Sequence, residues 1–202
     1  IMNSQPTRRS SRRLLLWGTG IAIVAGVVTG LFILPSELGI DPTGFGKSTG
    51  LSKMANPEAE RLLARGKARK GVFTPGEIAQ EPGVKDHWEY ELHPYEEIEL
   101  KYEIEQGKPM AFRWSATGPL NYDMHAHPFV GGETETESYD IAKADRQSGR
   151  YVAAFTGIHG WHWQNRGMTA VRITLDASGT IKGSRLIKGG VEQDRDFTPP
   201  AP

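Results

Sequence analysis

Two hydrophobic periodicities divide the chain. Residues 14–34 (LLLWGTGIAIVAGVVTGLFIL) run for 21 positions without a charged side chain. At about 1.5 Å rise per residue, a helix of that length spans roughly 31 Å, close to the roughly 30 Å hydrocarbon core of a bilayer. The pattern predicts a transmembrane helix over 14–34, with Trp17 near one interface and Pro35 ending it. Asn56, Pro57, Glu58 and Glu60 then read as the cap, first position and acidic first turn of a short helix that runs to Arg65 and stops at Gly66. Residues 71–85, rich in Gly, Pro and polar side chains, read as connecting chain. From His87 the period changes to two. Ile98, Leu100, Tyr102 and Ile104 alternate with Glu97, Glu99, Lys101 and Glu103. After a turn at Gly107, Lys108 and Pro109, Met110, Phe112 and Trp114 alternate with Ala111, Arg113 and Ser115. Leu120, Tyr122, Met124 and Ala126 alternate with Asn121, Asp123, His125 and His127. Tyr151, Ala153, Phe155, Val171, Ile173 and Leu175 complete the set. About eight short strands with no helix between them predict a mainly β domain, an antiparallel β-sandwich of jelly-roll type with an open barrel as the alternative. The expected organisation is a basic head at 1–13, the transmembrane helix at 14–34, a linker with a short helix at 35–86, the β-sandwich at 87–188 and an extended tail at 189–202.

Charge gives the helix a direction. Arg8, Arg9, Arg12 and Arg13 precede it with no acid, whereas Glu37 and Asp41 follow it before the first lysine, Lys47. The positive-inside rule places the N-terminus in the cytoplasm and the chain beyond Pro35 in the periplasm of a bacterial inner membrane. A cleaved signal peptide is the rival reading. Against it, the apolar run exceeds the usual stretch of about 7–15 residues, and no small-x-small site follows. Those four arginines are the only charged side chains before Pro35, so the remainder carries 20 basic groups against 24 acidic ones. Such a balance disfavours nucleic acid as a partner. Gly18, Ala22, Gly26 and Gly30 recur every four residues, which sets a helix face open to close approach by another helix. The partners expected are therefore the lipid bilayer and integral membrane protein subunits. Glycine is also simply frequent in membrane helices.

Cysteine is absent, which excludes disulfides, thiolate metal sites, covalently attached c-type haem and blue-copper centres together. The GFGKS run at 44–48 fails as a phosphate loop, because Asp41 stands where the first glycine is required and no strand precedes it. Asp41, Pro42, Thr43 and Gly44 read instead as a turn. Neither a Gly-x-Ser-x-Gly elbow nor a His-Glu-x-x-His pair occurs, and no catalytic residue is expected. Six histidines lie beyond the linker. His125 and His127 share a strand face, and His159 and His162 lie on an aromatic turn. With Asp123 or Glu133 these four could bind Cu, Zn or Fe, in the manner of the cupin His-x-His strand. Glu133 comes late for that pattern, and the proline expected before His162 is missing. The face with Asn121 and Asp123 reads as a solvated outer face, so hydrogen-bonded or surface histidine and no cofactor is the default. Trp161 and Trp163 fit either a partner surface or the core. Arg61, Arg65, Lys67, Arg69 and Lys70 make a basic patch suited to headgroups, to an acidic partner or to solvent. The acidic run at 133–137 reads as a solvated loop or edge strand.

Residues 149–165, GRYVAAFTGIHGWHWQN, followed by the strand at 171–175, resemble the Golgi-dynamics type of β-sandwich, a carrier and interaction fold. Over most of its length the chain resembles bacterial single-pass transmembrane anchor proteins. The shared features are the N-terminal span, the turn from Ile40 to Gly44 and the His-Gly-Trp-x-Trp turn from His159 to Trp163. This resemblance implies topology and fold and brings no activity with it. The function expected is that of a non-enzymatic accessory subunit docked on a larger membrane complex, respiratory or photosynthetic. An exported metal-binding or cupin-like protein using His125, His127, His159 and His162 is the alternative. The charge asymmetry makes a direct prediction: a reporter active only outside the cytoplasm, fused after Pro202, is active, and its inactivity would reverse the orientation.

Overall fold

The computed structural model describes residues 8–38, 40–51 and 57–199, and the chain divides into two compact units, Ile1–Glu60 and Arg61–Pro202. The first seven residues of the basic head, the cap at Asn56 and the last three residues of the tail lie outside the described residues.

In the first unit, α1 (Arg8–Val28), a π-helical turn (Thr29–Ile33) and α2 (Leu34–Leu38) follow one another without a break. The stretch Leu16–Glu37 is long and apolar enough to cross a membrane, and Leu16, Trp17, Ile21 and Val24 stand exposed along it. Pro35 does not end the helix as its sequence position suggested. A proline in a helix lacks an amide donor and crowds the carbonyl four residues back. Here the wider π turn comes just before it, and the Ser36 hydroxyl donates to the Phe32 carbonyl at 2.7 Å. Beyond, the Asp41 carboxylate accepts the Lys47 amide at 2.7 Å, and α3 (Phe45–Thr49) packs Phe45 edge-on to Phe32 at 5.4 Å. The GFGKS run is thus a capped turn whose amide is taken by the chain's own carboxylate.

α4 (Pro57–Lys67), which begins in the first unit and ends in the second, continues through Gly66 instead of stopping there. The glycine serves close packing: a Cβ at this position would collide with the Ser138 carbonyl oxygen. Arg65 reaches the Thr134 carbonyl at 3.1 Å and Glu135 at 2.6 Å, and Arg69 clasps Glu137 with contacts of 2.7–3.2 Å. Part of the basic patch therefore finds its acidic partner within the chain. The acidic run forms a 3-10 turn (Gly132–Glu135) and the start of a strand.

Among the described residues nine strands follow: β1 (Phe73–Pro75), β2 (Val84–Leu92), β3 (Glu97–Ile104), β4 (Pro109–Pro128), β5 (Glu137–Val152), β6 (Gly157–Gln164), β7 (Val171–Gly179), β8 (Gly183–Lys188) and β9 (Val191–Arg195). The mainly β, antiparallel fold is as the alternation predicted. Its hydrogen bonding runs through one branched sheet. β4 is the trunk. It pairs with β5 in both halves, with β7 from Met110 to Ala116 and with β6 from Asn121 to Pro128. One arm continues from β7 to β2, the other from β6 through β3 and β8 to β9. The arms share a core: Trp88 of β2 stacks on Trp163 of β6 at 5.7 Å, and Phe112 of β4 meets Trp161 edge-on at 4.6 Å.

Strand structure extends past 87–188 at both ends. Within the expected linker, Val72 is buried, Phe73 stacks on Phe112 at 5.9 Å, and Glu81 pairs with Arg150 at 2.5 Å. Beyond Gly189, β9 pairs with β8, and Arg195 reaches the buried carboxylate of Asp86. Asp86 also accepts the Tyr102 hydroxyl at 2.6 Å and the Thr198 amide at 2.9 Å. The tail is held by satisfying a buried acid, which its apolar content gave no hint of.

Deeper in the core, Gln147 Oε1 accepts the indole N–H of Trp114 at 3.0 Å and of Trp161 at 2.8 Å. Its Nε2 donates to Asp140 at 2.7 Å, which also accepts the Tyr122 hydroxyl at 2.6 Å. Gln147→Leu keeps the volume and strands two buried donors, each worth about 1–3 kcal/mol. Chemical denaturation should show a loss of about 2–6 kcal/mol. A change within about 0.5 kcal/mol, the range of an ordinary surface site, would contradict this account.

Candidate functional site

Cross-strand register decides which side chains meet. On β6, His159, Trp161 and Trp163 face the core, opposite Ala126, Met124 and Tyr122 of β4 and Tyr102, Leu100 and Ile98 of β3. Ile158, Gly160 and His162 face the other way, opposite His127, His125 and Asp123 of β4 and Glu103, Lys101 and Glu99 of β3. His125, His127 and His162 are therefore on one face of the sheet and His159 on the other. The four-histidine ligand set is not brought together, because a spacing of three along a strand reverses the side-chain direction.

The outer face is not simply solvated, as its asparagine and aspartate suggested. Its centre is Gly160, where a Cβ would collide with the Leu100 carbonyl oxygen. Lys101 and His125 flank this glycine in register. The Lys101 ammonium is 2.5 Å from His125 Nε2 and 3.1 Å from Glu99 Oε2, and the residue is 1% exposed. His125 Nδ1 is 3.3 Å from the Asp123 carbonyl oxygen. A neutral imidazole with its proton on Nδ1 satisfies both contacts, donating to Asp123 and accepting from the ammonium. Burial, then the adjacent ammonium, holds His125 well below the usual histidine range. Burial also lowers Lys101, against the attraction of Glu99. His127 is lowered by burial and then by Lys101. Asp123 is pushed up to about 6 by burial, opposed by the Ser138 hydroxyl at 3.1 Å. Its Oδ1 has no hydrogen-bond partner among the described residues. His162 completes the row, 3.4 Å from Glu97.

The acceptor nitrogen of His125 is committed to an ammonium, which is itself shielded from solvent. Among the described residues no group of three His, Cys, Asp or Glu is placed to hold a metal ion. On the core side, His159 Nδ1 contacts the Tyr151 hydroxyl at 2.8 Å, and burial lowers it to about 3. Trp161 and Trp163 are fully buried and present no surface to a partner. On the apolar helix, Ala22 is exposed, and Cβ atoms built on Gly18, Gly26 and Gly30 would meet nothing within 4 Å. A concavity of about 300 Å3 is lined by Lys85, Arg113, Ser148 and Asp176 among others, and Asp176 there lies 2.7 Å from His87 and 3.6 Å from Arg113.

Lys101, Glu99 and Gln147 are the polar residues that sequence reasoning passed over. Lys101 alternates with apolar neighbours and so reads as outward and wet. The one available hint was Gly160, a glycine inside a strand, which marks close backbone approach. No family model matches the chain, and no match is found among curated proteins.

Asp123 gives the cluster a pH signature. Its folded pKa of about 6 lies above the ordinary value of 3.8, so its contribution to stability is fully present below pH 3.8 and is lost as pH rises through about 6. Asp123→Asn removes the charge and should stabilise the protein above pH 6 by about 1–2 kcal/mol, with little effect at pH 4. Denaturant midpoints measured from pH 4 to 8 check this; a variant that loses stability at pH 8 refutes the assignment.

Proposed function

We propose that this chain is a non-enzymatic accessory subunit anchored in a bacterial inner membrane, with its N-terminus in the cytoplasm and its β unit in the periplasm. Its helix packs against helices of a larger complex, respiratory or photosynthetic, and its β unit docks on that complex outside the membrane. The observation that carries this reading is the helix Leu16–Glu37, long and apolar enough to cross a membrane and exposed from Leu16 to Thr29, with small residues recurring at Gly18, Ala22, Gly26 and Gly30. An apolar helix in lipid gains nothing from hydrophobicity alone, so close packing at small residues is what drives its association. Two features favour an interaction role over an exported metal protein: Lys101 sits on the nitrogen a metal would need, and His159 faces away from the other histidines.

The test is purification of the tagged full chain in a mild detergent, with co-purifying subunits and bound metal measured together. Gly26→Leu forces a bulky side chain into the close helix contact, and we expect at least a tenfold fall in recovered complex while the β unit stays folded. Unchanged recovery removes this helix face from the argument. One equivalent of Cu, Zn or Fe that disappears in a His125→Ala, His127→Ala chain would replace this reading with the metal-binding one.

A further inference from the structure

At the end of the sheet where β3 begins and β6 ends, two loops are held together by one side chain. Asn165 is buried; its Nδ2 donates to the carbonyls of Leu92 and His93, each at 3.1 Å, and of Thr169 at 2.8 Å. Its Oδ1 accepts the Gly167 amide at 2.9 Å, and its own amide donates to the Glu96 carbonyl at 2.9 Å. The turn from His93 to Glu96, closed by the Glu96 amide on the His93 carbonyl at 3.1 Å, and the loop 166–170 are thus tied into one body. That body presents apolar side chains to solvent. Tyr95 is 67% exposed and Met168 is 77% exposed, with the Tyr95 hydroxyl 2.9 Å from Met168 Sδ.

Tyr95 has φ of 61°, the only left-handed value on a non-glycine residue among the described residues. A turn position of this kind favours glycine or asparagine, so the tyrosine is held there against its backbone preference. Strain kept at an exposed aromatic points to recognition, since folding alone is served better by the smaller residue. A stiff aromatic loses little side-chain freedom on binding, and a methionine adapts to the partner's contours.

The surrounding charges name the partner's chemistry. Glu91 and Glu96 are paired with Arg172 and Lys188, at 3.5 and 2.6 Å. Arg166 contacts only the neutral Gln164 amide oxygen, at 3.1 Å, and pairs with no carboxylate among the described residues. Glu97 accepts the Gln164 amide at 2.9 Å and lies 3.4 Å from His162, which leaves Arg166 to meet a partner's carboxylate, and one arginine is too few cations for an anionic lipid surface. We infer that the Tyr95–Met168 tip is a protein-docking site that inserts into an apolar pocket with a carboxylate at its rim, on a protein subunit of the membrane assembly. This rests on the accessory-subunit reading and names the part of the β unit that makes the contact.

The experiment uses the full chain in its native membrane. Tyr95→Asn should leave the melting temperature unchanged or raised, because asparagine suits the left-handed turn, and should cut recovery of the complex at least tenfold. Met168→Ala should act in the same direction, and Lys108→Ala, beyond the far end of β3, in neither. A photo-crosslinking phenylalanine at position 95 should give one adduct, with an integral membrane protein, that Met168→Glu abolishes; the same probe at position 108 should give none. Wild-type recovery from the Tyr95→Asn chain overturns the inference, as does an adduct only with lipid or with a second copy of this chain. If the wild-type chain brings down no complex, the accessory reading falls by itself. The crosslink then decides the surface: a discrete protein adduct sensitive to Met168 sustains it, and no adduct at position 95 overturns it.

Discussion

The amide oxygen of Gln147 accepts two indole N–H groups at once, and the arrangement of the sheet depends on that. Trp114 comes from the first half of β4, where the strand pairs with β7; Trp161 comes from β6, which pairs with the second half. One indole belongs to the trunk of a branching sheet and the other to an arm, and one buried acceptor fixes how they meet. If the arms splayed apart, at least one indole would lie among apolar groups with its donor unpaired, at a cost of about 1–3 kcal/mol. The opposite end of the same side chain donates to Asp140, which is held in turn by Tyr122. A continuous polar thread therefore passes through an otherwise apolar core, and it is fully paired at Gln147. Partly satisfied threads of this kind cost more than an apolar core would.

Setting Trp161 in place also sets the outer face of β6. Side chains along a strand alternate, so once Trp161 and Trp163 point inward, Gly160 and His162 must point outward. The absence of a side chain at Gly160 lets Lys101 lie flat across the sheet and reach His125. The ammonium is attracted by Glu99 and stripped of water by its neighbours, and the two effects oppose each other in its pKa. A charge buried in this way persists only because its partners are close and correctly oriented.

The alternation at 97–104 and 120–127 was legible because each strand has one face in a hydrophobic core, and the period of two records that directly. The apolar helix was legible as well, since a long uncharged run of this length is what a helix able to cross a membrane requires. What failed to show were features made by distant partners. β4 reads as two strands because Thr117, Gly118 and Pro119 interrupt its pattern; in the structure they mark a register shift at the branch point, while β5 follows both halves. Gly66 reads as a helix stop, but its role is set by the Ser138 carbonyl across the interface. Arg195 reads as part of a polar tail, and only the buried carboxylate of Asp86 gives it a place. Of the site, the presence of His125, His127 and His162 on one face could be worked out from parity, given the strand boundaries. The lysine that closes it could not, because parity assigns Lys101 to the outside and says nothing of what covers it.

One strand carries both of these buried charge networks, on opposite sides. Tyr102 of β3 points inward and donates to Asp86; its neighbour Lys101 points outward and donates to His125. A slip of β3 by one residue would exchange the two faces, driving an ammonium into the tryptophan cluster and leaving Asp86 without its hydroxyl. Slips toward apolar residues are forgiving in a sheet of plain valines and isoleucines, where every inward position is much like the next. Here each register error strands a charge, and unpaired buried charge is among the most costly states a fold can adopt. Ile98, Leu100 and Ile104 supply most of the burial along β3, but a slip of two residues would leave them on the same face. It is Lys101 and Tyr102 that distinguish the native alignment from its neighbours. The polar groups on this strand thus specify the fold more than they stabilise it, and the same specification places the histidine face where it is.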